Sequence, residues 1–275
     1  MTTPCKIHCM TVARLGPFTS TPFSGFVGCT RFAIFLVAVL GFGACTQLYA
    51  QDYAREQRWA DEITPALVVG EPVKILATSG KPFLGLYAKG SKAGRAILLL
   101  HSVGSHPDYG VIGQLRGNLF DLGYTTLSIQ LPVQGRDAKL EDYYPKVFGD
   151  AKDRIGRALQ WLKVEGFDKP ALVSHTMGSW MANEYLDDHH KKDEVSAWVC
   201  MSLTGSYSWT ARAYGFPILD VYAENDIAPT IKSAGRRKLA LVQPASRQFM
   251  VPGAEAEYGT KERALAMEVR RFLGD

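Results

Sequence analysis

The feature that most constrains this chain is a set of short apolar runs that fail to alternate with polar residues. Positions 96–100 read Ala96, Ile97, Leu98, Leu99, Leu100, and positions 197–201 read Ala197, Trp198, Val199, Cys200, Met201. A strand with one wet face alternates, whereas a strand covered on both faces is apolar throughout. Similar runs are expected to form strands at 73–77, 83–88, 125–131, 171–174, 218–223 and 248–251. Between them lie stretches of helical period at 111–122, 151–164, 179–186 and 260–273; in the second, Ile155, Leu159 and Leu162 share one face. Strands alternating with helices predict an α/β domain with a mostly parallel central sheet and helices on both faces. No repeat or low-complexity tract interrupts the order, so 70–275 is assigned to one domain, and the chain of 275 residues is long enough to bury its core.

The first fifty residues differ in kind. They carry Lys6, Arg14 and Arg31 with no Asp or Glu, and they hold Cys5, Cys9, Cys29 and Cys45, leaving Cys200 alone in the remainder. The formal charge of +4 is therefore largely theirs, and the body is nearly neutral. Without a concentrated basic face the body offers no footprint for nucleic acid. One thiol makes no intrachain disulfide, and no Cys or His spacing suits a metal, so neither a metal nor another cofactor is implied. Arg31 followed by the apolar stretch 32–45 and then small residues is the order of a secretory leader. The stretch is shorter than the roughly 20 residues of a membrane span. We read 1–50 as a leader processed after Ala50, which places the mature protein in a periplasm or cell envelope. Membrane attachment would require lipidation at Cys45 or an uncleaved leader. Residues 51–69 read as an N-terminal arm, with a short amphipathic helix over 51–64.

The sharpest motif is Ser174-His175-Thr176-Met177-Gly178, which ends an apolar run and opens a helical one. It has the strand, tight turn and helix form of a nucleophile elbow, G-x-S-x-G, with Thr176 at the nucleophile and Ser174 at the first glycine. Upstream, His101-Ser102-Val103-Gly104 ends another buried run, as a loop that lends an oxyanion-hole N–H should.

With these motifs the chain resembles the α/β-hydrolase superfamily and, within it, the bacterial family labelled DUF3530. The resemblance rests on the run 101–108, the run 123–132, the elbow and the run 217–223, and it covers roughly 70–273. It implies an α/β-hydrolase-type sheet with a small cap or none. It further implies a catalytic acid at Asp226, oxyanion donors at the Val103 and Met177 N–H groups, and a catalytic His after the last strand, where this sequence has Ala256. No His follows His190. A Thr hydroxyl is a weak nucleophile unless a base takes its proton. The expectation is therefore a degenerate triad in an exported protein that binds a small molecule or an envelope protein without turning it over. The alternative is a hydrolase of esters or related acyl compounds using Thr176, Asp226 and an unconventional base, for which His106 is the candidate.

Candidate ligand contacts come from two places. His101 and Ser102 stand at the oxyanion loop. The connection 132–149 is the longest without a clear period, as lids and binding loops often are, and Tyr143 and Tyr144 are its residues best suited to touch a ligand.

Overall fold

The computed structural model describes residues 51–274. The expected leader and its processing or lipidation site lie outside the described residues. Among the described residues no helix is long and apolar enough to cross a membrane.

Eight strands form one sheet in the order β1-β2-β4-β3-β5-β6-β7-β8. They are β1 (Glu71–Leu76), β2 (Pro82–Ala88), β3 (Ala96–Leu100), β4 (Thr125–Ile129), β5 (Ala171–His175), β6 (Ala197–Met201), β7 (Ile218–Asn225) and β8 (Arg247–Glu255). β2 runs antiparallel to both β1 and β4 at one edge, and β3 through β8 are mutually parallel. The helices are α1 (Tyr53–Ile63), α2 (Gly110–Asp121), α3 (Leu140–Tyr143), α4 (Phe148–Val164), α5 (Met177–Asp188), α6 (Ala228–Lys238) and α7 (Glu262–Phe272).

The unbroken apolar runs are explained by two cores. Along β6, Trp198 and Cys200 point into a core shared with α4 and α5, while Val199 and Met201 point into one shared with α2 and α7. β3 splits the same way, with Leu98 and Leu100 on the first face and Ile97 and Leu99 on the second. A polar residue in such a strand must be partnered. Asp220 on β7, fully buried, is held by Arg237 of α6 at 2.8 Å and by the Tyr207 hydroxyl at 2.8 Å.

Helix α6 is absent from the sequence expectation. Its buried residues are Thr230, Ser233, Ala234 and Arg237, which present almost no apolar period, and it docks by hydrogen bonds instead. The 132–149 connection contains the short α3, and the first turn of α4 begins before its expected start.

The N-terminal arm is built into the domain. Glu56 of α1 and Arg154 of α4 form a buried ion pair at 2.8 Å. Glu56 also accepts from the Val133 N–H at 3.2 Å and the Gln51 amide at 2.6 Å. Arg154 spends another donor on the Gln130 carbonyl at 2.7 Å. These bonds tie α1 to α4 and to the loop that leaves the carboxyl end of β4.

Candidate active site

The turn from β5 to α5 has the geometry of a nucleophile elbow. Thr176 lies at φ 46° and ψ −108°, a backbone region that costs a β-branched residue about 1–3 kcal/mol. The turn can form because Gly178 follows it: a Cβ there would stand 2.5 Å from the His101 carbonyl oxygen and 2.7 Å from that of Leu100. The missing side chain lets the start of α5 rest against the end of β3, which brings Met177 and the 102–104 loop to one place. Ser174 is tolerated at the first glycine position because its hydroxyl is used. It accepts from the Trp198 indole N–H at 2.9 Å and bonds the Ser179 hydroxyl at 3.0 Å.

Thr176 Oγ1 meets Ser102 Oγ at 2.5 Å. The oxyanion loop thus supplies the hydroxyl partner that an imidazole would provide in a Ser-His-Asp site. A serine hydroxyl is no base near neutral pH, so the pair holds a hydrogen bond and removes no proton.

Each histidine near the site is committed elsewhere. His101 is buried; its Nδ1–H donates to the Ser102 carbonyl at 2.7 Å, and its Nε2 accepts from the Leu131 N–H at 2.9 Å. Burial lowers its pKa to about 3, so it is a neutral brace between the loops after β3 and β4. That corrects its expected ligand contact. His175, also buried, donates from Nε2 to the Ala256 carbonyl at 3.0 Å, and burial lowers its pKa against the opposing pull of Glu257. His106 lies between Trp59 of α1, tilted against it, and Tyr109, edge-on to it, with ring centroids 5.5 Å from each. Its Nδ1 accepts from the Asp108 N–H at 3.3 Å. Among the described residues no hydrogen bond joins it to Thr176.

The acid position is occupied in both senses. Asp226 follows β7 where an acid was expected, but its oxygens are taken. Oδ2 accepts from the Ser202 hydroxyl at 2.5 Å and the Ala223 N–H at 3.2 Å, and Oδ1 accepts from the Ile227 N–H at 2.8 Å. Tyr258 donates in turn to Ser202 at 2.8 Å. Sequence reading missed Ser202 and Tyr258; their positions in a buried relay depend on contacts across 24 and 56 residues. Ala256 comes directly after β8, and its methyl group offers no proton acceptor.

The two tyrosines of the 132–149 connection diverge. Tyr143 turns inward, 2% exposed, and its hydroxyl accepts from the Gln134 N–H at 3.1 Å, so it supports the loop instead of facing a ligand. Tyr144 is 47% exposed and sets its ring edge-on to Phe148 and to Trp180, which stands one turn after Thr176 on α5. Tyr144 and Trp180 make an aromatic wall beside the elbow. A groove of about 600 Å³ opens apart from Thr176, between α1 and the β1–β2 hairpin, with Tyr53, Lys81, Phe83 and Leu84 among its lining.

Comparison with known proteins settles the fold. No protein-family model matches the chain, and no curated protein does. Solved structures do match. Est1E from Butyrivibrio proteoclasticus superposes with a TM-score of 0.57 at 14% identity, over 74% of this chain and 97% of that one. An alpha-beta serine hydrolase homologue from Coxiella burnetii gives 0.58 at 15%, over 76% and 99%. Dienelactone hydrolase from Anabaena variabilis gives 0.59 at 17%, over 74% and 97%. The chain has the α/β-hydrolase fold.

Proposed function

We propose that this protein is an exported α/β-hydrolase-fold protein whose crevice binds a ligand or partner without hydrolysing it. The observation that carries the reading is the 2.5 Å pairing of Thr176 with Ser102 in a site where position 256 is alanine. A triad needs a nucleophile, a base that takes its proton and an acid that orients the base. Here the acid accepts from Ser202 and two backbone N–H groups, the base position is a methyl group, and His101 and His175 brace loops. What is retained is the part that holds a ligand: an elbow, the Met177 and Val103 N–H groups in the oxyanion positions, and the wall of Tyr144 and Trp180. The finer placement among DUF3530 proteins rests on the order of the sequence motifs, and export rests on the composition of 1–50. Names such as esterase and dienelactone hydrolase among the structural neighbours make ester hydrolysis the activity to test.

A fluorophosphonate phosphonylates a hydroxyl whose proton a base removes. Intact-mass analysis of the chain after exposure to such a reagent should show no adduct. An adduct mapped to Thr176 would mean that a base, His106 foremost, reaches the hydroxyl in solution and that the protein is a hydrolase.

A further inference from the structure

A guanidinium next to the oxyanion loop has no carboxylate within ion-pair distance among the described residues. Arg55 of α1 reaches over that loop and donates from Nη2 to the Gly104 carbonyl at 3.3 Å and from Nη1 to the Gln134 carbonyl at 3.1 Å. Its guanidinium also lies 4.5 Å from the centre of the Trp59 ring. Carbonyls and a ring face satisfy geometry but carry no net charge, and no carboxylate pairs with Arg55 among the described residues. Of the acids on the surrounding elements, Glu56 holds Arg154 and Asp108 holds Arg116, while Asp52 caps α1 by accepting from the Arg55 backbone N–H and keeps its charge. Elsewhere in the domain, buried arginines have their counter-ions, Arg237 with Asp220 and Arg154 with Glu56. A half-buried guanidinium whose partners are carbonyls and a ring face can receive an anion, and its planar fork suits a carboxylate.

We propose that Arg55 anchors the carboxylate of the crevice ligand. The inference rests on the crevice being a binding site and adds the chemical class of what it binds. Arg55 is bonded to the residue after Val103, so in this reading the ligand's carboxylate sits at the oxyanion loop and its apolar or aromatic body meets Tyr144 and Trp180. The selectivity follows from charge. An ester is neutral and gains little from a standing cation, whereas the free acid is ionised near neutral pH and gains a charge-assisted bond. A site without a base thereby prefers what an esterase would release over what it would consume.

The test is calorimetric titration of the full chain with benzoate and with 4-hydroxycinnamate, each beside its methyl ester. The acids should bind about tenfold more tightly than the esters or better. In Arg55→Gln the preference should fall to near unity, and Arg55→Lys, which keeps the charge, should retain part of it and serves if Arg55→Gln folds poorly. Trp180→Ala should weaken acid and ester alike. Equal binding of acid and ester, or a preference unchanged in both Arg55 variants, overturns the carboxylate anchor. If Trp180→Ala still weakens both ligands in that case, the crevice remains a binding site; if neither acid nor ester binds the wild-type chain at millimolar concentration, both readings fall.

Discussion

The two ends of the crevice have been treated differently. On the β3–β5 side, the strained Thr176, the close seat of Gly178 on β3 and the braced 101–105 loop hold the elbow against that loop. On the β7–β8 side, Asp226 accepts from Ser202, which Tyr258 bonds in turn, and position 256 is alanine. Strain persists only where the surrounding structure over-determines it, and on the first side it does: His101, Gln130, Arg154 and Glu56 form a continuous buried chain from the oxyanion loop to α1. The contrast separates two capacities that a hydrolase keeps together. In the proposed reading, one side would hold a ligand and the other would move no proton.

The largest expected effect tests whether α1 maintains the first side. Glu56→Ala leaves Arg154 charged and buried without its partner, which should cost about 3–5 kcal/mol of stability. In urea melts combined with hydrogen exchange, protection should drop at 101–106 and 131–134 while 254–258 keeps its own. An equal loss at both ends would mean that α1 stabilises the domain as a whole and does not single out the oxyanion loop.

Asp226 tests the second side. Asp226→Ala removes the acceptor for Ser202 and two backbone N–H groups, with an expected cost of about 1–3 kcal/mol. Ester turnover should be unaffected by it. A stable variant that loses measurable turnover would restore Asp226 to a catalytic role.

Acid pH acts on the first side through His101, its effect accumulating unit by unit. His101 titrates near 6.5 when unfolded and near 3 when folded. Between those values the unfolded chain binds the extra proton, so stability falls as pH drops, by about 1.4 kcal/mol per unit from this group. The loss begins below about pH 6.5 and is complete near pH 3. His101→Gln should flatten the acid limb of a stability-against-pH curve by that slope; parallel curves would show that His101 is already protonated in the fold.

The smallest effect concerns the nucleophile position. Thr176→Ser removes one methyl group from a turn of positive φ and should change stability by less than about 1 kcal/mol. It should bring no turnover, because a serine hydroxyl there still faces Ser102. Turnover appearing in Thr176→Ser alone would locate a working base close by.

Much of this comparison was legible in the sequence. Unbroken apolar runs such as 96–100 identify strands covered on both faces, and Thr176 and Gly178 mark the elbow because glycine is needed where the helix meets β3. Ala256 was readable as a departure from the pattern. What escaped was whatever docks by polar contacts. Helix α6 buries Thr230, Ser233 and Arg237, and a hydrophobic period does not register it. Tyr143 and Tyr144 are adjacent and alike in composition, yet one supports a loop and the other faces outward; only the backbone path decides which. Arg55 lies 49 residues from Gly104, so its place at the oxyanion loop is a property of the assembled fold.

The central claim is most directly tested by ester turnover of the wild-type chain beside Thr176→Ala, over acyl esters of graded chain length. The account predicts that the two proteins, equally folded, hydrolyse every ester at the same background rate. A wild-type rate well above background that disappears in Thr176→Ala would contradict it, and would show that the hydroxyl bonded to Ser102 is a nucleophile after all.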